Sequence, residues 1–210
     1  MGLEGERIPR AKEASEIFEW LGDTAGQAQS LVNLASVLHD DNQLDAAEEA
    51  ASRAIDLLSE EGEQFRVCMG HRVLGRIYQS RGNTEKAFHH YEAALEIASS
   101  LNLDSQLFWI HYSLSDLFFE EDRFDDAHAH VERAKSHAIN DPYNSARASR
   151  LQARFLDRQN RFKEAKSEAL RALGTFEKLG ATDDVEYTRE LLGQIDRNAR
   201  GVDSDLATPD

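Results

Sequence analysis

Proline, cysteine, long apolar runs and positive charge are all scarce in this chain. Three prolines occur in 210 residues, Pro9, Pro142 and Pro209, so residues 10–141 hold none of the fixed-φ breaks that end helices. The single cysteine, Cys68, excludes an intramolecular disulfide and fits a reducing compartment. No apolar run approaches the ~20 residues that a membrane-spanning helix needs, and the N-terminal MGLEGERIPR lacks the apolar core of a secretory leader. Against 39 Asp and Glu stand 24 Lys and Arg, a net charge of −15. That balance repels nucleic acid and anionic membranes at long range. The expectation is a cytoplasmic protein with neither as a partner.

Catalytic signatures are missing as well. The sequence contains no G-x-x-x-x-G-K-[ST], G-x-S-x-G, H-E-x-x-H or dinucleotide-binding glycine pattern. The histidines His89, His90, His128, His130 and His137 invite a metal reading, but no four-ligand spacing accompanies them. Cys68 and His71, three apart, read as packing neighbours. We therefore expect a non-enzymatic protein with no cofactor and no metal.

What is present is repetition. With hydrophobic residues at 40% and charged residues at 30%, a packed core is attainable. In YQSRGNTEKAFHHYEAALEIA (78–98), Tyr78, Gly82, Ala87, Tyr91 and Ala94 recur 40 residues earlier as Leu38, Asn42, Ala47, Ala51 and Ala54. They recur later as Phe118, Asp122, Ala127, Val131 and Ala134, then as Leu156, Asn160, Ala165, Ala169 and Ala172. Internal repetition of this period signals a helical array. Each unit holds two helical patterns, such as Val73, Leu74, Ile77 and Tyr78, then Ala87, Phe88, Tyr91, Ala94, Leu95 and Ala98. The short polar joints HDDNQ, QSRGN, EEDRF and DRQNR force each pair to pack antiparallel. The alanine columns, with Ala14 as an earlier member, are read as crossing points where only a methyl fits.

The stretches LGRIY…GN…A…Y..A (74–94), LASVL…DN…A…A..A (34–54), LSDLF…ED…A…V..A (114–134) and QARFL…QN…A…A..A (152–172) resemble the tetratricopeptide repeat. The longer units look like the arrays of kinesin light chains and of fungal STAND-type proteins. The usual early tryptophan is replaced by Leu31, His71, His111 and Ser149, and the proline near the repeat end by Ser59, Ser99, Ile139 and Glu177. The resemblance implies an all-α, right-handed superhelical solenoid of antiparallel helix pairs. Residues 1–22 read as a lone second helix with Ala11, Ala14, Phe18 and Leu21 on one face, so the chain is expected to be a fragment of a larger protein. Four repeats follow within 23–180, at about 26–60, 64–101, 104–140 and 143–179. A capping helix is expected at 181–200 and a disordered tail at 201–210.

In such arrays the first helices line a concave groove. Carried onto this chain, that implies a peptide-binding groove of Arg72, Arg76, Trp109, Tyr112, Asp116, Phe119, Arg147, Arg150, Arg154 and Arg158. The last four stand out without the family, since offsets of 3, 4 and 4 align them on one helix face. Residues 146–161 hold five arginines and one aspartate, a local charge of +4. Two readings fit the run. One is a solvated face pairing with Asp116, Glu120 and Asp157. The other is a site for an acidic protein or peptide partner, with Trp109, Tyr112 and Phe119 as contact area. Trp109 and Phe119 suit a core position equally well. The expected function is an interaction scaffold. The alternatives are a module that self-associates into a homo-oligomer through the N-terminal half-repeat, and the sensor region of a nucleotide-switched STAND-type regulator.

Overall fold

A computed structural model describes residues 6–58 and 63–206, with side chains to residue 201. The described residues form ten helices and no strand. They are α1 (Arg7–Leu21), α2 (Thr24–Asp40), α3 (Leu44–Leu58), α4 (Gln64–Ser80), α5 (Thr84–Ser100), α6 (Asp104–Glu120), α7 (Phe124–Ser136), α8 (Pro142–Arg158), α9 (Phe162–Leu179) and α10 (Thr182–Leu206). The chain divides into two compact units, Met1–Ile110 and His111–Asp210. Residues 1–5 of the expected half-repeat, the link at 59–62 with its Ser59, and residues 207–210 of the expected tail lie outside the described residues.

Each joint between paired helices is built the same way. Asn42, Gly82, Asp122 and Asn160 all hold positive φ, between 57° and 69°. Glycine meets this without steric cost, and Asn and Asp are the side chains that tolerate it best. The next N–H then reaches back to the carbonyl five residues earlier: Gln43 to Leu38, Asn83 to Tyr78, Arg123 to Phe118 and Arg161 to Leu156, at 2.8–2.9 Å. This left-handed cap satisfies carbonyls that the helix end leaves free. At Asn83 the side chain also accepts the Lys86 amide at 3.1 Å and so opens α5. Asp23 and Asp141 cap α2 and α8 in the same manner.

The alanine columns lie where the sequence placed them. Ala47, Ala54, Ala87, Ala94, Ala127, Ala134, Ala165 and Ala172 are all 0% exposed. A further small column, Ala35, Gly75, Ser115 and Ala153, is buried on the first helices. At Gly75 the approach is tight enough that an added Cβ would sit 2.5 Å from the Tyr91 ring. Cys68 donates to the Ala94 carbonyl at 3.4 Å, and burial pushes its thiol up to about 11. The thiol is therefore a packing group rather than a nucleophile.

Two expectations about the ends need correcting. Ala14 is only half-buried, and the packed face of α1 is centred on Ser15, with Ala11 and Phe18 beside it. Leu21, expected on that face, points outward with Ile17 and Trp20, the last of these 85% exposed. α10 continues to Leu206, past the expected end at 200. It needs no apolar face there because its backbone bonds simply extend a helix already packed on α9 and α8.

One pair of side chains is duplicated between repeats. His71 and His90 meet Nδ1 to Nδ1 at 3.0 Å in the first unit, and their equivalents His111 and His130 do so at 3.0 Å in the second. Such a bond needs one donor and one acceptor nitrogen, which a doubly protonated pair cannot supply. Burial drives His90, His111 and His130 down to about 4 and lowers His71. Tyr78 stacks on His90 at 5.3 Å, with His89 and Lys86 adding positive field and Glu48 opposing it. Phe118 lies 5.2 Å from His130, where Arg133 and Asp126 act in opposite senses, and His137 stacks on His111 at 5.8 Å.

Unfolded histidines bind protons near pH 6.5, whereas His90, His111 and His130 bind them only near 4. Their contribution to stability is complete above about pH 6.5 and is lost as pH falls toward 4. Thermal melts across that range are expected to show a falling Tm, with a shallower slope in His130→Gln. A Tm unchanged from pH 7 to 4.5 would contradict the partly buried neutral pairs.

Candidate functional site

The ten residues expected to line a groove fall in both units. In the first, Arg72 is tucked inward, its Nε donating to the Gln106 side chain at 3.2 Å, and burial lowers its pKa. Arg76 pairs with Asp40 at 3.2 Å and reaches His39 Nδ1 at 3.2 Å. Trp109 is half-buried, edge-on to Phe108 with ring centroids 5.0 Å apart. The contacts described for these three all lie within their own unit.

The second unit holds the other seven, and it assembles most of them with residues of α10. The apolar side of α8 fixes the arrangement. Ala153 and Leu156 pack with Ala165 and Ala169 of α9 and with Leu191 and Ile195 of α10, while Ala146 packs with Ala172 and Phe176. The arginines of α8 are thereby turned toward α6 and α10. Arg150, at 7% exposure, lies between the Phe176 and Tyr187 rings, 5.0 and 4.8 Å from their centroids. It donates to Asp184 Oδ1 at 2.6 Å. Burial opposes charge on Asp184, but hydrogen bonds from Tyr143, at 2.7 Å, and Arg150 outweigh it and hold the carboxyl below its usual range.

Arg154 donates to Asp116 at 3.3 Å, and burial nonetheless raises the Asp116 pKa. Arg147 covers the Tyr112 and Tyr143 rings at 5.8 and 5.7 Å, and burial raises the Tyr112 pKa. Phe119, 7% exposed, stacks on Phe155 at 4.2 Å. Arg158 is exposed, with its guanidinium 5.4 Å from the Phe119 ring. The pairing expected with Asp157 does not form. That carboxylate, 3% exposed, instead accepts from Asn198 at 2.9 Å and Gln194 at 3.3 Å.

Two clefts open along this face. The larger, about 810 Å³, is lined by Phe119, Arg154, Asp157 and Arg158 together with Tyr187, Arg189, Glu190, Leu191, Gly193, Gln194 and Arg197 of α10. The smaller, about 250 Å³, lies between Tyr112, Arg150, Leu151, Arg154, Asp183, Asp184 and Tyr187. Arg189 is bound to Glu177 at 2.7 Å. Among the described residues neither Arg158 nor Arg197 has an ion-pair partner. α10, expected only as a cap, supplies seven of the eleven residues of the larger cleft. The signal was its spacing, since Asp183, Tyr187, Glu190, Gln194 and Arg197 recur at 4, 3, 4 and 3 along one face.

No group of three or more His, Cys, Asp or Glu among the described residues is placed to hold a metal ion. His71 is engaged with His90 and Cys68 with a carbonyl, so the two do not form a ligand pair. No helix among the described residues is long and apolar enough to cross a membrane.

With this architecture in view, comparisons with known proteins fix the class. Family models for the tetratricopeptide repeat match residues 28–57 and 66–140, together half of the 210 residues. The chain belongs to the tetratricopeptide-repeat family. No curated protein matches it. Among solved structures it is similar to BtubC from P. vanneervenii, with 16% identity and a TM-score of 0.70 over 100% of this chain and 95% of that one. It is also similar to a Rap protein complexed with Competence and Sporulation Factor, at 14% identity and a TM-score of 0.67. That match covers 95% of this chain and 60% of the Rap chain. A Podosopora anserina kinesin-light-chain-type array of nearly identical TPR-like repeats matches at 14% identity and a TM-score of 0.62, covering 86% of this chain and 90% of that one. At these identities the likeness establishes the fold, an all-α tetratricopeptide-type repeat.

The expected groove arginines thus divide into those the fold uses and those it leaves open. Arg150→Glu is expected to lower stability by roughly 3 kcal/mol in urea unfolding, because it places a second carboxylate at a buried position beside the partly buried Asp184. The exposed Arg158→Glu should stay within about 0.5 kcal/mol of wild type. Equal effects would show that the Arg150–Asp184 pair is not structural.

Proposed function

We propose that the protein is a non-enzymatic interaction module that holds an acidic segment of a partner protein against the α8–α10 face. The observation that carries this reading is the convergence of Arg154, Arg158, Arg189 and Arg197 with Phe119 and Tyr187 around one cleft, in a chain of net charge −15. Long-range repulsion keeps most acidic partners away, and a local cluster of guanidinium groups offers one place where they can dock. Arginine suits that role because its fork binds carboxylates bidentately, and the aromatic rings supply contact area at low entropic cost. The fold lends support, since tetratricopeptide repeats are scaffolds and the similar Rap protein was captured with Competence and Sporulation Factor bound.

The groove reading changes in one respect from the one the sequence suggested. Arg150 is spent on Asp184 and Arg154 leans on Asp116, so the cations available to a partner are Arg158 and Arg197. A fluorescein-labelled glutamate-rich peptide is the direct probe. Fluorescence anisotropy should show binding that weakens with salt, and the double variant Arg158→Glu/Arg197→Glu should lose about tenfold or more in affinity, some 1.4 kcal/mol. Absence of binding by the wild type, or equal affinity in the variant, would contradict the proposal.

A further inference from the structure

Glycine inside a helix weakens it relative to alanine, so each helical glycine calls for a reason. Gly26, Gly70 and Gly75 have one in packing, since an added Cβ would come within 2.4–2.7 Å of Phe18, Ile55 and Tyr91 respectively. Gly193 does not. A Cβ there would meet only Arg197 Nη1, at 3.5 Å, an ordinary contact. The fold would accept a side chain at 193, yet the position lies bare in the wall of the larger of the two clefts, beside two arginines that have no ion-pair partner among the described residues.

We infer that Gly193 is a specificity-determining position: its bare backbone keeps the cleft open so that a carboxylate side chain of the partner segment can enter between Arg158 and Arg197. The guanidinium of Arg197 rests directly over Gly193, so a side chain built there would occupy the space in which the two arginines must close on the incoming group. The charge already in the cleft selects the kind of anion. Asp157 and Glu190 line the same cleft, and their repulsion falls twice as heavily on a phosphate dianion as on a carboxylate. The site therefore suits an Asp or Glu side chain of a partner. This inference rests on the reading of the cleft as the partner site and adds which groups grip and which opening admits.

The test separates the two. Gly193→Leu and Gly174→Leu are compared with wild type for binding of the glutamate-rich peptide and of a phosphoserine counterpart. Gly174 lies in α9 and lines neither of the two clefts, and a Cβ there would meet nothing within 4 Å, so it reports the helix-propensity effect alone. Both variants should raise Tm, and only Gly193→Leu should weaken glutamate-peptide binding, by about tenfold or more. Gly193→Ala provides a smaller intrusion with an intermediate loss should leucine disturb the helix. Undiminished binding by both Gly193 variants overturns the role of Gly193 while leaving the cleft as the partner site. Tighter binding of the phosphoserine peptide overturns the carboxylate assignment. A wild type that binds neither peptide removes both the inference and the reading beneath it.

Discussion

Helices in this protein touch through methyl groups. Ala47, Ala87, Ala127 and Ala165 near the start of each second helix, and Ala54, Ala94, Ala134 and Ala172 two turns later, are sealed from solvent. Two helices can approach that closely only when nothing larger stands between their backbones, and packing at interior density leaves little slack for an added methylene. The left-handed cap at Asn42, Gly82, Asp122 and Asn160 reverses the chain in the few residues this closeness allows. Crossing and cap together make each pair one rigid antiparallel unit. Larger residues such as Tyr91, Phe108 and Phe176 then fill the spaces around the alanine contacts.

The candidate site follows from that rigidity in the second unit. With its apolar side locked onto α9 and α10, α8 has no freedom to choose where its arginines point. Some of that charge is absorbed into structure, in the Arg150–Asp184 pair and the Arg154–Asp116 contact. Arg158 at the end of α8 and Arg197 on α10 are left over. A surface arginine without a partner is ordinary by itself. Two of them beside a cleft of about 810 Å³, with Phe119, Tyr187 and a glycine that packing does not require, are what the proposal of an acidic ligand rests on.

Much of the scaffold could be read from sequence because it is written in local, repeated constraints. A methyl-sized gap and a positive-φ turn each restrict residue type at a fixed position, and repetition multiplies the signal. The site was only half legible. Spacing of 3, 4 and 4 located the face carrying Arg147, Arg150, Arg154 and Arg158, but their partners come from other helices. Asp184 lies 34 residues beyond Arg150, and no local pattern links them. Tyr112 and Asp116 meet Arg147 and Arg154 of α8, and Phe119 packs on Phe155, contacts that spacing alone does not foretell, because helical spacing fixes direction without revealing what waits there. At the ends the repeat logic weakens. Leu21 and Trp20 face outward although both are apolar, and the polar composition beyond residue 200 concealed a helix that simply continues.

Alanine-methyl NMR in the presence of a soluble paramagnetic agent tests the central constraint most directly, because it reads solvent contact at each crossing point. The methyls of Ala54, Ala94, Ala134 and Ala172 should keep their intensity while exposed ones such as Ala46 and Ala129 are bleached. Bleaching of the crossing-point methyls to the same extent would contradict close helix contact and, with it, the rigid frame on which the proposed acidic-ligand cleft depends.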